Sequence, residues 1–294
     1  MKINNSQIKN SQIKCLVLGG EGMLGHMIVQ YINSLGGYKV YKTSIKKSIY
    51  WRSFDVCRDL ELLEEALRHL KPKLVINCIG IVNKLVTDKN KAKVTFVNSY
   101  FPHKLAEICK ENGSKLIHIS TDCVFSGEPE GFSKKAGNYT EDSKHSPTDF
   151  YGASKALGEV NDDYHLTIRT SIIGPEVKKH KKGLMEWFLK QKGKKVKGYT
   201  KVIWSGVTTL ELAKQIIDLY EKEVSGLVNL ASKPISKYDL LCLMKEVYGL
   251  KGKVKKDSSL KCDRSMKSIR KDINYSIPTH KQMLIELKEF GEKQ

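Results

Sequence analysis

Tyr151 and Lys155 stand four residues apart in the run Ser146-Pro-Thr-Asp-Phe-Tyr-Gly-Ala-Ser-Lys-Ala-Leu-Gly-Glu159. On a helix, positions i and i+4 share a face, so an ammonium there can stabilise a phenolate. A free phenol titrates near about 10, and one neighbouring cation lowers that by roughly 1–3 units, enough to make tyrosine a working acid or base. Pro147 and Asp149 supply a helix start. Gly152, Ala153 and Ser154 keep the surroundings small, as close approach of a ligand requires. The spacing alone is weak, because exposed helix faces produce it by chance.

A second chemical pattern lies near the N-terminus. Lys14-Cys-Leu-Val-Leu18 reads as a short buried strand and runs into Gly19-Gly-Glu-Gly-Met-Leu-Gly25, followed by an apolar helical stretch to Leu35. Glycines at 19, 22 and 25 allow a tight turn, a backbone approach to a pyrophosphate and close helix packing, with the positive helix end facing the phosphates. The spacing is G-x-x-G-x-x-G. Gly19, Gly22, Met23, Leu24 and Gly25 are the expected phosphate-side contacts.

Both patterns need a frame. Strand candidates at 14–18, 38–43, 73–77, 115–119 and 165–169 alternate with helix candidates at 23–35, 58–70, 90–112 and 149–163, which predicts repeated βαβ units and a parallel sheet covered on both faces. Helix candidate 208–222 shows an apolar stripe at Leu210, Ala213, Ile217 and Tyr220. After about residue 171 the alternation weakens, predicting a second lobe at the open end of the sheet, where the cleft should carry the site. Residues 1–12, with the tandem pentapeptide Asn-Ser-Gln-Ile-Lys at 5–9 and 10–14, read as a polar extension.

Composition narrows the classes. No run of about 18 apolar residues is available for a membrane span. The seven cysteines show no Cys-x-x-Cys or zinc spacing, and no histidine pattern suggests a metal, so reduced cytoplasmic thiols are expected. The net charge of +19 raises nucleic acid as a partner. Only six of the 51 basic residues are arginine and the lysines are spread through the chain, which favours a general lysine bias. The densest stretch, 178–197, reads as a solvated face or a capture surface for an anionic nucleotide-sugar.

Six segments in order resemble the extended short-chain dehydrogenase/reductase family, and within it the dTDP-4-dehydrorhamnose reductase group of sugar-nucleotide reductases. They are Gly19–Gly25, Val75-Ile-Asn-Cys-Ile-Gly80, Val97-Asn98, Ile119-Ser-Thr-Asp-Cys-Val-Phe-Ser-Gly127, Tyr151–Glu159 and Ile168-Arg-Thr-Ser171. The resemblance implies an α/β fold, a Rossmann-type doubly wound parallel sheet with a smaller C-terminal substrate-binding lobe. The cofactor domain would take 13–171 plus about 207–230, and the lobe about 172–206 plus 231–294. It implies a nucleotide-diphospho-sugar substrate, with a homodimer left open, and no nucleic-acid or membrane partner. Thr121, Tyr151 and Lys155 would be catalytic: Tyr151 donating the proton, Lys155 tuning it and binding the nicotinamide ribose, Thr121 bonding the substrate oxygen. Asn98 would brace the site or serve only its own helix. Thr43, Asp55, Val56, Cys78, Ile79 and Gly80 would line the cofactor. Strand two ends without the acid that holds the ribose of NAD, and Lys42, Lys46 and Lys47 are near, so NADP(H) is favoured and NAD(H) remains open.

Asp122, Cys123, Trp204 and Arg264 would meet the sugar nucleotide: Trp204 by stacking or as lobe packing, Arg264 on the diphosphate or in a surface ion pair. Related dehydratases carry Thr-Asp-Glu, and a neutral thiol at Cys123 is a poor replacement for that base, so reduction is favoured over dehydration. The group's usual Tyr at 123 and Trp at 172 are Cys123 and Ile172 here, which leaves the sugar open. A 4-epimerase and a silent regulatory subunit of the same fold are the rival readings.

Overall fold

The computed structural model describes residues 12–45, 53–129, 136–177 and 183–293. Along the first half run β1 (Ile13–Leu18), α1 (Met23–Asn33), β2 (Tyr38–Lys42), α2 (Leu60–Leu70), β3 (Leu74–Asn77), α3 (Lys91–Thr95), α4 (Phe101–Glu111), β4 (Lys115–Thr121) and α5 (Phe150–Leu157). Then come β5 (Leu166–Thr170), β6 (Ile172–Ile173), α6 (Leu184–Leu189), β7 (Lys195–Trp204), β8 (Val207–Thr208), α7 (Thr209–Glu221) and β9 (Gly226–Asn229). The chain closes with β10 (Ile235–Ser236), α8 (Lys237–Val247), β11 (Lys253–Asp263) and α9 (His280–Glu292).

Six parallel strands form the central sheet in the order β2-β1-β3-β4-β5-β9. Its strands bury consecutive residues because both faces are covered. Cys15 and Val17 of β1 point into a core with Ile28 and Ile32 of α1 and Leu212 and Ile216 of α7. Leu16 and Leu18 point the other way, onto Leu63 and Leu67 of α2 and Phe101 and Leu105 of α4. Strand order reverses between β1 and β3, which opens a crevice at their carboxyl ends.

Strands β10-β7-β11 form a separate sheet. Val196, Trp204 and Val254 pack there against Leu240, Leu241 and Met244 of α8 and Leu284 and Leu287 of α9. The C-terminal stretch also returns to the main core, where Ile273, Tyr275 and Ile277 lie against it.

Two helices depart from the pattern expected of them. The helix expected over 90–112 is broken by a π-helical turn at Phe96–Tyr100 between α3 and α4. The helix expected to reach 163 stops at its C-cap Gly158, where a Cβ would stand 1.9 Å from the Asn98 carbonyl oxygen. Close contact of the two segments ends the helix. Residues 1–11, and Lys46 and Lys47 with 46–52, lie outside the described residues, as do 178–182 of the lysine-rich stretch.

Candidate active site

The glycine turn joins β1 to α1. Gly19 has φ +76°, and the Gly22 N–H donates to its carbonyl at 2.9 Å. A Cβ on Gly25 would stand 2.3 Å from the Gly19 oxygen, so helix and turn meet without room for a side chain. Gly22 caps α1 with no side-chain hydrogen bond, which leaves the first-turn N–H donors pointing out of the helix end. That cradle fits a dinucleotide pyrophosphate. Met23 is half-buried at the helix start, while Leu24 is buried in the sheet core. Thr43, just beyond β2, accepts the Gly19 N–H on its hydroxyl at 3.1 Å and the Gly20 N–H on its carbonyl at 3.0 Å, so it shapes the turn directly.

Beyond β3, the Cys78 N–H donates to the Leu18 carbonyl at 3.1 Å and the Ile79 N–H to Asn77 Oδ1 at 3.0 Å, fixing this loop beside the glycine turn. Gly80 is exposed. Asp55 accepts the Cys57 N–H at 3.1 Å, and that bond holds its carboxyl below the ordinary range, with Lys93 3.7 Å away. Val56 is core, packed with Leu16 and Leu18. The π turn aims Asn98 back at the loop: its Oδ1 accepts the Ile81 N–H at 2.8 Å, and its Nδ2 donates to the Ile81 carbonyl and to Ser154 Oγ, each at 3.0 Å. Asn98 thus ties the crevice wall to α5.

Thr121 ends β4, and a short 3₁₀ turn over Asp122–Val124 follows. The Thr121 hydroxyl accepts the Cys123 N–H at 3.1 Å, donates to Asp122 Oδ1 at 3.1 Å, and lies near enough to the Tyr151 phenol to favour its ionised form. Asp149 caps α5, its carboxylate accepting the Gly152 N–H at 2.7 Å. Gly152 lets α5 sit against the Cys123 carbonyl, which a Cβ would approach to 2.2 Å. The phenol of Tyr151 is pushed up from its ordinary value by burial and by Cys123, while the nearby Thr121 hydroxyl pulls the other way.

The expected tuning by Lys155 is not the arrangement found. Its ammonium points beneath the tyrosine, donating to the Ile119 carbonyl at 2.8 Å and lying 3.2 Å from His118 Nε2. Asn77 spends its oxygen on Ile79, so its amide donates to His118 Nδ1, at 3.1 Å. A neutral ring then carries its proton on Nε2, toward Lys155, which favours an unprotonated amine there. Burial pushes Lys155 down to about 8, against Glu159 and Cys78, and holds His118 well below its usual range. Nothing in the sequence signalled His118, because only the pairing of β4 beneath α5 brings it to Lys155.

Cys123 is pushed up to about 12 by burial and Asp122, so its thiol keeps its proton. Arg264 donates from Nη1 to Cys123 Sγ at 3.4 Å, from Nε to the Ser126 carbonyl at 3.3 Å and from Nη2 to Thr148 Oγ1 at 3.1 Å, and it makes no ion pair among the described residues. Trp204 does not present a stacking face to the cleft. It is 3% exposed in the lobe core, its Nε1 donating to Ser171 Oγ at 2.9 Å. Lys237, which sequence reasoning missed, lies over that ring.

Beneath the site, Glu159 accepts from Ser120 Oγ at 2.6 Å and from Arg169 Nη2 at 2.7 Å, and its Oε2 lies 2.8 Å from His145 Nε2. Among the described residues no cluster of His, Cys, Asp or Glu could hold a metal, and no helix is long and apolar enough to cross a membrane.

The chain is 32% identical over 165 residues to the probable low-salt glycan biosynthesis reductase Agl14 of Haloferax volcanii, covering 53% of this chain and 52% of that protein. It is 34% identical over 96 residues to the dTDP-4-dehydrorhamnose reductase of Mycobacterium tuberculosis, 33% of this chain and 30% of that one. The chain spans about half the length, or less, of the curated relatives it matches. Among solved structures, a hypothetical dTDP-4-dehydrorhamnose reductase from Sulfolobus tokodaii superimposes with a TM-score of 0.71 at 28% identity, covering 86% of this chain and 91% of that one. The dTDP-4-dehydrorhamnose reductase of Bacillus anthracis in complex with NADP has a TM-score of 0.77 at 18% identity over 96% and 100% of the two chains, a likeness of fold. The family model described as RmlD substrate binding domain matches residues 13–226, from the first residue of β1 to the first of β9, and the chain belongs to that family.

Proposed function

We propose that this protein is an NADPH-dependent reductase of the 4-keto group of a nucleotide-diphospho-4-keto-6-deoxy-sugar, acting in surface polysaccharide synthesis. The observation that carries this reading is Thr121 at the carboxyl end of β4 with the helix of Tyr151 packed against the adjoining Cys123 carbonyl, on the crevice that the glycine turn also borders. When bound, the nicotinamide supplies hydride to the carbonyl carbon. Tyr151 supplies the proton to the carbonyl oxygen, and Thr121 holds that oxygen as charge develops. A phenol raised by burial stays loaded as an acid, which suits the reducing direction. Lys155, on the same helix, would bind the nicotinamide ribose. The names of the relatives in Haloferax volcanii and Mycobacterium tuberculosis support reduction.

The end of β2 supports NADPH over NADH. Tyr41-Lys-Thr-Ser44 offers no carboxylate to a ribose 2′-hydroxyl, and Lys42 is exposed there for a 2′-phosphate. Gly19, Gly22, Met23 and Gly25 would hold the pyrophosphate, and Asp55 would meet the adenine side. Cys123 supports reduction over dehydration, since a thiol that keeps its proton cannot serve as the base that dehydration needs.

One assay tests the reading. NADPH is mixed with a panel of dTDP- and UDP-linked 4-keto-6-deoxy-sugars, loss of reduced nicotinamide is followed, and the product is identified. Stoichiometric oxidation with a 4-hydroxyl product is expected. Interconversion of 4-epimers with no net NADPH loss would replace the reductase reading with the epimerase one.

A further inference from the structure

Lys237 occupies an expensive position. It is the first residue of α8, behind the N-cap Ser236, where the helix dipole disfavours a cation. Its ammonium stands 4.9 Å from the centroid of the Trp204 ring, whose Nε1 is bonded to Ser171 at the exit of β5. Through Trp204 and Ser171 it sits at the carboxyl end of β5, and the Asp122 carboxylate beside Thr121 acts on it. Asp122 does not pair with it: its Oδ1 takes the Thr121 hydroxyl at 3.1 Å and the Cys123 thiol at 3.6 Å. Lys237 has no hydrogen bond and no ion pair among the described residues.

Arg264, just past the end of β11, donates to the Cys123 thiol at 3.4 Å and likewise makes no ion pair among the described residues. The second lobe therefore brings two cations, Arg264 at Cys123 and Lys237 on Trp204, neither in an ion pair among the described residues. Lys237 is half-buried, and burial pushes it down to about 8 against the Asp122 carboxylate, so its ammonium is only partly compensated inside the chain. A neutral sugar hydroxyl returns little of that cost, whereas an anionic oxygen returns most of it.

We infer that Lys237, together with Arg264 at Cys123, binds an anionic oxygen group of the substrate. The inference rests on the proposed nucleotide-sugar reading and adds the residue that selects for charge within it. Two parts of such a substrate carry that chemistry: the diphosphate, and a carboxylate on the sugar ring.

The test uses the full chain with NADPH present and measures calorimetric affinities for dTDP, UDP, UDP-glucose and UDP-glucuronate. Lys237→Met keeps the stem on Trp204 and removes the charge, and Lys237→Arg restores a cation. We expect Lys237→Met to weaken binding by about tenfold or more, Lys237→Arg to stay within about threefold of the parent, and NADPH affinity and Tm to hold in both. Loss of dTDP and UDP affinity together assigns the contact to the diphosphate. Loss only of a preference for UDP-glucuronate over UDP-glucose assigns it to a sugar carboxylate. Unchanged affinities for all four in Lys237→Met overturn the role of the lysine and leave the nucleotide-sugar reading standing. Failure of the parent chain to bind any of the four overturns both. Should Lys237→Met not fold, Lys237→Gln carries the same comparison.

Discussion

Replacing Glu159 with glutamine should remove a large share of the protein's stability, and the loss should depend on pH in a direction the geometry dictates. The carboxylate and its partner Arg169 are both buried, with side-chain exposures of 4% and 3%. Oε1 accepts from Ser120 Oγ at 2.6 Å and Arg169 Nε at 2.9 Å, and Oε2 accepts from Arg169 Nη2 at 2.7 Å. Burial opposes the charge, yet the bonds from His145, Arg169 and Ser120 prevail and bring its pKa from 4.5 to about 2. At about 1.4 kcal/mol per pH unit, that difference corresponds to roughly 3 kcal/mol. Because the folded-state value is depressed, this stability is complete above about 4.5 and drains away as pH falls toward about 2. Breaking a buried pair from one side independently predicts a loss of about 3–5 kcal/mol, since Arg169 keeps its charge. Urea unfolding of the parent and Glu159→Gln at pH 7 and pH 3.5 reads both effects: a gap of about 3–5 kcal/mol at pH 7, narrowing by about 1 kcal/mol at pH 3.5. A gap below about 1 kcal/mol at pH 7, or one that does not change with pH, would refute the reasoning.

Tyr151→Phe should lower turnover by about 10²–10⁴-fold with NADPH affinity nearly unchanged, because only the proton donor is lost; stopped-flow absorbance at 340 nm tests this, and near-parent turnover would remove Tyr151 from the mechanism. Gly25→Ala should cost roughly tenfold or more in NADPH affinity, about 1.4 kcal/mol, because its Cβ would meet the Gly19 oxygen at 2.3 Å and backbone must move; parent-like fluorescence titration would count against the turn as the phosphate cradle. With Lys155 at about 8, its ammonium is present below that pH and lost above it. NADPH affinity should therefore fall as pH rises through about 8 in the parent and stay flat in Lys155→Met; identical profiles would sever Lys155 from the cofactor.

What could be read from the chain alone was what is local. Strand, glycine turn and helix follow one another within residues 13–33, so their joining needs no tertiary knowledge, and the leucine stripe of α2 follows from periodicity in the same way. Thr121 was placed correctly at a strand end because β4 continues directly into it. The face shared by Tyr151 and Lys155 was legible, but the partner of the ammonium was not. His118 reaches Lys155 only because β4 runs beneath α5, and the demand of its ring nitrogens is invisible at a separation of 37 residues. Trp204 stayed open between stacking and lobe packing for a related reason: an isolated tryptophan gives no sign of which lobe surface will cover it, and here α8 and α9 do. Lys237 drew no notice among so many lysines, since its distinction is the lack of a partner.

The five-residue turn at Phe96–Tyr100 sets a phase constraint on this stretch of chain. Each residue removed from a helix rotates everything after it by about 100°. Upstream, Val94 faces the interior. Downstream, Leu105, Ile108 and Cys109 must also face it, and Asn98 between them must aim at Ile81 and Ser154. Deleting one residue to regularise the coil would leave either the amide or the downstream stripe misdirected, never both satisfied. Length variation is therefore expected to be forbidden between residues 94 and 105, even though its individual side chains can change.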